Sequence, residues 1–417
     1  MLDVLFNQQL VGKLWSQDRI LYFQYDETWR SLSTAFALSP RLPLSDELYH
    51  GDEPTFFFSN LLPEGPMLNA ILKLKKLPAG DLYAQLDALG EEAAGAFSIV
   101  DDATIKQRQP HYQAYKLDNL HADIQLMTKN IPLQLQHNQL RLSLAGAQNK
   151  LPVKYAQQTF WLPADGAAST HILKPQIIPA AAFPDSVWNE AFCLRLAKMV
   201  GLNVVNIEVL NIPEPVLLIE RYDRQQDGNE ITRIHQLDFC QLAGFLPDQK
   251  YEKYNGPTLA MTFNLIDKYA HLPARDRLQA LNWVIFNFLI GNADAHAKNL
   301  AMLVAPGNKM NLAPFYDILA TAIYPSLSDE MAMTIGHEDR PRWVHQQQWH
   351  EFAQQVDINF VLMKKQALSI ADQMNAKFQL AANSLNIPLE HRLIKNIHKV
   401  MLDRIRKLKA SIYTESE

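Results

Sequence analysis

The chain predicts an α+β fold in two lobes: a sheet-rich lobe with an extra N-terminal α+β subdomain, then a mostly helical lobe. Three observations carry that prediction. Short alternating segments open the first hundred residues, strand-like runs recur from about 137 to 233, and helical periodicity dominates after about 256. In order, LDVLFN, LVGKLW and ILYFQY read as a small antiparallel sheet. PTFFFSNLLPEGPMLNAILKLKKL and DLYAQLDALGEEAAGAF then carry apolar residues at helical spacing, which closes a subdomain over 1–105. A polar connector from Asp101 to about Leu117 leads into a sheet lobe over 106–250. Its strands are LRLSLAG, LPVKYAQQTFWLP, THILKP, VNIEVLNI and PVLLIERYD, interrupted by one helix, SVWNEAFCLRLAKMVG. The remainder, 251–417, reads as helical apart from a hairpin and the strand-like MAMTIG.

Composition sets outer bounds. With 417 residues, 48% of them hydrophobic and 20% charged, the chain has the profile of a globular protein able to bury more than one core. A net charge of -5 and a pI near 6.2 supply no overall basic field, which argues against direct DNA binding by the whole protein. The only cysteines, Cys193 and Cys240, lie in apolar segments, giving neither a disulfide framework nor a zinc cluster. No signal-like N-terminus and no run of eighteen apolar residues is found, so a cytoplasmic protein without membrane attachment is expected.

The most informative stretch is Gly291-Asn292-Ala293-Asp294-Ala295-His296-Ala297-Lys298-Asn299, followed by Phe315-Tyr316-Asp317. An acid and an amide five residues apart fit one tight loop, the acid facing a substrate hydroxyl and the amide oxygen facing Mg2+. Asp317 on a later segment adds a second hard, anionic ligand. Alone, such an Asp–Asn pair is expected by chance about once in a chain of this size. Context raises it: the apolar run Leu281 to Ile290 ends at Gly291, and LAMLVAP, Gly307-Asn308 and MNLAPFYD read as two strands and a turn. Helix, polar loop, hairpin, acid is the layout of a phosphoryl-transfer loop and its metal-binding segment, so the expected fold is bilobal and protein-kinase-like.

That layout predicts further parts. Lys174 ends a short apolar strand, and Glu190 lies sixteen residues on, in the helix of the sheet lobe; an ammonium held by a carboxylate places its charge on phosphates. Val216 to Ile219 leads into Glu220-Arg221-Tyr222-Asp223-Arg224, where backbone groups could meet adenine and Asp223 a ribose, or where a local ion pair could form. Ser143-Leu144-Ala145-Gly146-Ala147-Gln148-Asn149-Lys150 is either a phosphate-approaching loop or a hairpin turn.

LRLSLAGAQNK, STHILKP, WNEAF, ERYDR, HQLDFCQLAG, GNADAHAKN and PFYDI resemble, in order and spacing, the segments of the HipA-like serine/threonine kinase toxins of bacterial type II toxin–antitoxin systems. FFFSNLLPEGP is similar to that family's N-terminal subdomain, so the resemblance covers most of the chain. It implies ATP and Mg2+ as cofactors, with Asp294 as catalytic base and Asn299 and Asp317 as Mg2+ ligands. His296 and Lys298 join the catalytic loop. Lys174 and the loop residues Leu144, Ala145, Gly146 and Ala147 would contact ATP phosphates, Glu220 and Tyr222 would form the hinge, and Asp223 would lie beside the ribose. Ser143 matches the autophosphorylated serine. The implied partners are an aminoacyl-tRNA synthetase substrate, typically the glutamyl enzyme, and a small HipB-like helix-turn-helix antitoxin through which operator DNA is reached.

Departures keep alternatives open. His296, where eukaryotic protein kinases usually carry lysine, suits γ-phosphate neutralisation, loop bracing or a satisfied structural role; choline- and phosphoinositide-type kinases share the acid, His, Asn layout. A small-molecule or lipid kinase and a catalytically weak ATP-binding corepressor therefore stand beside the protein kinase. The glycine of a DFG segment is missing, Ile318 following Asp317. Asp294, His296, Asp317 and His337 have the atoms of a metal hydrolase, but not the clustered histidines. The basic amphipathic stretch 393–409 could meet an acidic partner or DNA held by a repressor, but reads first as a solvated helix face.

Overall fold

Along the strand Ile20–Tyr25, Leu21, Phe23 and Tyr25 are buried while Ile20 and Gln24 are exposed, the two-residue period of a sheet with one covered face. In the computed structural model, which describes residues 1–93, 95–101, 109–129, 131, 148–228, 230–305 and 309–413, this strand joins a five-stranded antiparallel sheet. The order is Tyr49–His50, Ile20–Tyr25, Gln9–Gln17, Leu2–Phe6, Phe97–Asp101. The helix Asp52–Ser59 covers it with Phe57 and Phe58, the Phe58 ring lying 5.7 Å from Phe23.

A six-stranded sheet follows, ordered Ile207–Ile212, Glu214–Glu220, His171–Lys174, Leu151–Ala156, Thr159–Ala164, His111–Tyr115. Alternate residues Leu151 and Val153, Phe160 and Leu162, Val216 and Leu218 form one apolar face. Leu120, Ile124 and Met127 of the helix Leu117–Met127 join the same cluster; their spacing of four and three places them on one stripe.

The two sheets belong to one compact unit made of Met1–Ile178, Glu208–Pro247 and Met302–Met310. A buried ionic network ties the segment before the last strand of the first sheet to the residues after the strand Glu214–Glu220. Glu92 Oε1 accepts from Ser169 Oγ at 2.7 Å, Arg224 Nη2 at 2.9 Å and Arg221 Nη1 at 3.0 Å, and Glu92 Oε2 pairs with Arg233. Asp223 accepts from Arg221 Nε at 2.9 Å, Arg221 Nη2 at 2.7 Å and Gly95 N–H at 2.8 Å. Burial alone would push both carboxyls upward, but the surrounding guanidiniums win. Arg233, Arg224 and Arg221 hold Glu92 well below the usual carboxylate range, while Arg221 and Arg224 hold Asp223 at about 2.

The second unit, Pro179–Ile207, Asp248–Ala301 and Asn311–Glu417, is mostly helical. Its centre is the helix Pro273–Ile290, in which every residue from Ala280 to Ile290 is buried. Around it lie the helices Leu259–Tyr269, Gln346–Gln355, Phe360–Ser384 and Arg392–Tyr413, with Phe288 packed edge-on against Trp349 at 5.2 Å. Among the described residues no helix is long and apolar enough to cross a membrane.

The α+β expectation, sheet-rich first and helical second, is met. Two elements differ. The helix Ser186–Met199, read as part of the sheet lobe, clusters with the second unit; it is buried nearly all round, and Phe192 packs against Phe378 of the long helix Phe360–Ser384 at 4.9 Å. MAMTIG is not a strand. Its end makes a tight turn closed by the Ile335–Glu338 bridge, with Gly336 and His337 both left-handed at φ 57° and 66°.

Removing one partner of a buried ionic network leaves charges uncompensated, so Glu92→Gln is expected to cost about 3–5 kcal/mol of stability by denaturant unfolding. Asp223 and Glu92 have depressed values in the folded state, so their contribution is present above the ordinary carboxylate range and is lost as pH falls through their folded values. The wild type should therefore weaken between about pH 5 and pH 2, and Glu92→Gln should start lower and lose less over that window. Equal acid sensitivity in the two proteins would contradict this.

Candidate active site

A buried apolar helix that ends inside the protein must satisfy its last carbonyls locally. Gly291 adopts φ 86°, and its N–H and that of Asn292 both reach Asn287 O, at 3.2 and 2.9 Å. A Cβ at 291 would stand 2.7 Å from Val400 Cγ1, so close packing as well as the left-handed turn requires glycine. Arg404 Nη1 donates to Phe288 O at 2.7 Å, while its Nη2 meets Asp329.

The loop that leaves this helix is fixed from several sides. Asn292 Nδ2 donates to Asn287 Oδ1 at 2.7 Å, and Asn292 Oδ1 accepts from the Asp294 N–H at 3.1 Å. Thr321 Oγ accepts from Ala293 N–H at 2.7 Å and donates to Gly291 O at 3.2 Å. Ala332 N–H donates to Ala293 O at 2.9 Å. A 3-10 turn over Ala297–Asn299 follows, and Asn299 Nδ2 reaches back to Asp294 O at 2.9 Å.

These bonds leave Asp294 as a half-exposed carboxylate on a rigid support, its side chain 54% accessible. Its Oδ1 accepts from Tyr251 Oη at 2.7 Å. His296 is buried beside it, Nε2 standing 3.9 Å from that same oxygen, with the Tyr251 ring edge-on at 5.2 Å. Lys298 is also buried.

Asp317 arrives on a segment held on both flanks. Phe315 N–H donates to Asn203 O at 2.7 Å, and Val205 N–H donates to Phe315 O at 3.0 Å. Tyr316 Oη donates to Lys298 O at 2.7 Å, which brings the residue before Asp317 against the residue before Asn299. Beyond it, Asn189 Oδ1 accepts from Ala320 N–H at 2.9 Å and Asn189 Nδ2 donates to Tyr324 Oη at 3.0 Å. Burial pushes the Tyr324 phenol up to about 12, so it stays a neutral partner. Asp317 itself is left-handed at φ 53°, a conformation costly for a residue with a side chain and concentrated at functional sites.

The donor chemistry fits Mg2+. Because the Asn299 amide nitrogen is engaged with Asp294 O, its oxygen is the atom left for a hard cation, and Asp317 brings a carboxylate on the adjoining segment. Two protein oxygens suffice for an ion that keeps waters and phosphate oxygens as its other ligands. A hydrolytic cluster is not gathered: among the described residues no three or more His, Cys, Asp or Glu are placed to hold a metal. His337 instead meets Gln355 Nε2 at 2.8 Å.

The other candidates occupy the first unit, apart from Glu190, which is buried in the second. Lys174 is buried at its strand end, in register with Leu217. Glu220 is exposed and in register with His171, and Tyr222 Oη bonds Gln236. Asp223 is 3% exposed with both oxygens engaged by arginines and Gly95, the local ion pair weighed from the sequence. Ser143, Leu144, Ala145, Gly146 and Ala147 lie outside the described residues.

Sequence reasoning missed Asn189, Thr321 and Tyr251. Asn189 sits inside WNEAF beside the charged Glu190, and no periodicity marks a tyrosine that meets its acid from 43 positions away.

Residues 2–100 match the HipA N-terminal domain family and residues 142–382 the HipA-like C-terminal domain family. The chain is 38% identical over 383 residues to the protein Y4mE of Sinorhizobium fredii, covering 89% of each. It is 30% identical over 342 residues to the serine/threonine-protein kinase toxin HipA of Shewanella oneidensis, covering 79% of this chain and 76% of that one. A solved structure of the Shewanella oneidensis MR-1 toxin–antitoxin system, HipA with HipB and operator DNA, superposes with a TM-score of 0.83 at 26% identity, over 99% of this chain and 97% of that one. The two family models over 2–100 and 142–382, with the sequence relatives and the superposed structure, place the chain in the HipA family of kinase toxins.

Proposed function

We propose that the protein is an ATP- and Mg2+-dependent serine/threonine protein kinase acting as a toxin, with Asp294 as the base that receives the acceptor hydroxyl. The observation that carries this reading is the half-exposed Asp294 carboxylate on a loop otherwise locked by internal hydrogen bonds. A positioned carboxylate accepts the hydroxyl proton while the hydroxyl oxygen bonds to the γ-phosphorus and the bond to the bridging oxygen breaks, releasing ADP. Asn299 and Asp317 would hold Mg2+, which when bound neutralises charge on the phosphates. Lys298 completes the loop, and His296, buried under Tyr251, is assigned to bracing it.

On the family resemblance, Lys174 and the 144–147 loop contact ATP phosphates, Glu220 and Tyr222 form the hinge, and Ser143 is the autophosphorylated residue. Asp223 is reassigned from the ribose to the buried network that engages its oxygens. The partner we propose is a HipB-like antitoxin, through which operator DNA is bound, on the strength of the Shewanella complex. An aminoacyl-tRNA synthetase, glutamyl in the first instance, is the proposed substrate, and the cytoplasm the site of action.

Asp294→Ala should reduce phosphate transfer from labelled ATP by about 10² to 10⁴; a variant that keeps wild-type rates removes Asp294 as base. In a labelled lysate the product should be protein bands, whereas labelled metabolites would favour a small-molecule kinase. Asn299→Ala and Asp317→Ala should each raise the Mg2+ concentration giving half-maximal rate by roughly 10–100-fold, and an unchanged Mg2+ dependence would exclude them as ligands. Intact mass with and without Mg·ATP should show one added phosphate that Ser143→Ala abolishes; addition elsewhere would overturn that assignment.

A further inference from the structure

We infer that Tyr251 is a positioning residue for phosphoryl transfer: its phenol anchors one oxygen of Asp294 so that the other is presented to the acceptor hydroxyl. The inference rests on the reading of Asp294 as the base. Tyr251 Oη donates to Asp294 Oδ1 at 2.7 Å, and His296 Nε2 stands 3.9 Å from that same oxygen. The Asp294 side chain is 54% accessible. Such a carboxylate would otherwise turn about its side-chain bonds, and a reacting pair depends on near-attack geometry.

The placement of Tyr251 is built into the backbone. Ala332 is the shared anchor: its N–H donates to Ala293 O at 2.9 Å, and its carbonyl accepts from Glu252 N–H at 3.0 Å. One peptide-linked residue therefore fixes both the neighbour of Asp294 and the neighbour of Tyr251. The Glu252 carboxylate reinforces this by accepting from Thr334 N–H at 2.6 Å and Thr334 Oγ at 2.9 Å. Gly256 closes the turn behind Tyr251, where a Cβ would lie 1.8 Å from Gln249 O and 2.7 Å from Tyr251 O. The Tyr251 ring also lies edge-on to His296 at 5.2 Å and to Tyr254 at 6.0 Å, so the aromatic body and the hydroxyl make separable contacts.

The test compares wild type, Asp294→Ala, Tyr251→Phe and Tyr251→Leu for Mg·ATP-dependent self-phosphorylation, with the maximal single-turnover rate constant, the ATP concentration giving half of it and the melting temperature measured for each. Tyr251→Phe keeps the ring and loses only the hydroxyl. Its rate constant should fall about tenfold, the usual scale for a hydrogen bond to a charged group, with the half-saturating ATP concentration and melting temperature unchanged. Tyr251→Leu should be no more active than Tyr251→Phe. A Tyr251→Phe protein with the wild-type rate constant, or a loss that appears only in Tyr251→Leu together with a lower melting temperature, overturns the inference and makes the ring a packing element. A faster Tyr251→Phe also overturns it, showing that the phenol competes with the acceptor. In these three cases an active wild type and an inactive Asp294→Ala keep the kinase reading intact. An inactive wild type, or an active Asp294→Ala, removes that reading and this inference together.

Discussion

A helix with no exposed face over its last eleven residues cannot release its chain into solvent gradually. The terminal carbonyls of Pro273–Ile290 lie among apolar side chains, where an unmet acceptor costs on the order of 1–3 kcal/mol, so they must be answered within a few residues. Gly291 does this by turning left-handed against Val400, and Arg404 covers the Phe288 carbonyl from the C-terminal helix. The direction of that turn decides where Asp294 and Asn299 begin. The remaining loop bonds, to Thr321, Ala332 and Asn292, refine a position that the helix end has already chosen.

Much of this was legible because it is local. The alternation in Ile20–Tyr25, the apolar run Leu281 to Ile290, the glycine stop and the five-residue step from Asp294 to Asn299 all express short-range rules, and each appears where the residues indicate. Contacts that cross the chain left no such trace. Thr321 and Asn189 are ordinary polar residues until the fold sets them against backbone groups 28 and 131 positions away. The helix Ser186–Met199 shows why burial misleads: buried nearly all round, it carries no stripe to announce which neighbour it prefers, and contacts such as Phe192–Phe378 and Asn189–Ala320 reveal it. MAMTIG failed for a related reason. Its apolar alternation resembles a strand, but Met331 and Ala332 bond to isolated residues and the segment ends in a left-handed pair, Gly336 and His337.

The two units solve their polar problems differently. In the first, Glu92 and Asp223 are surrounded by Arg221, Arg224 and Arg233, full charges in a dry setting whose desolvation is offset only by close pairing. In the second, the loop around Asp294 is held by neutral amides, a threonine and backbone groups. Fixed neutral groups thus set the path of this loop, where full charges set the path of the other segment.

The Glu92 network has a consequence for how this chain can be cut. Glu92 reaches the arginines from the residues that precede the last strand of the first sheet, whereas all three guanidiniums lie after the strand Glu214–Glu220. Deleting the opening hundred residues would strip a carboxylate from a cluster already richer in positive groups, stranding like charges without water around them. The leading segment is thus no detachable accessory; in any shortened or recombined gene it has to travel with the arginines it neutralises.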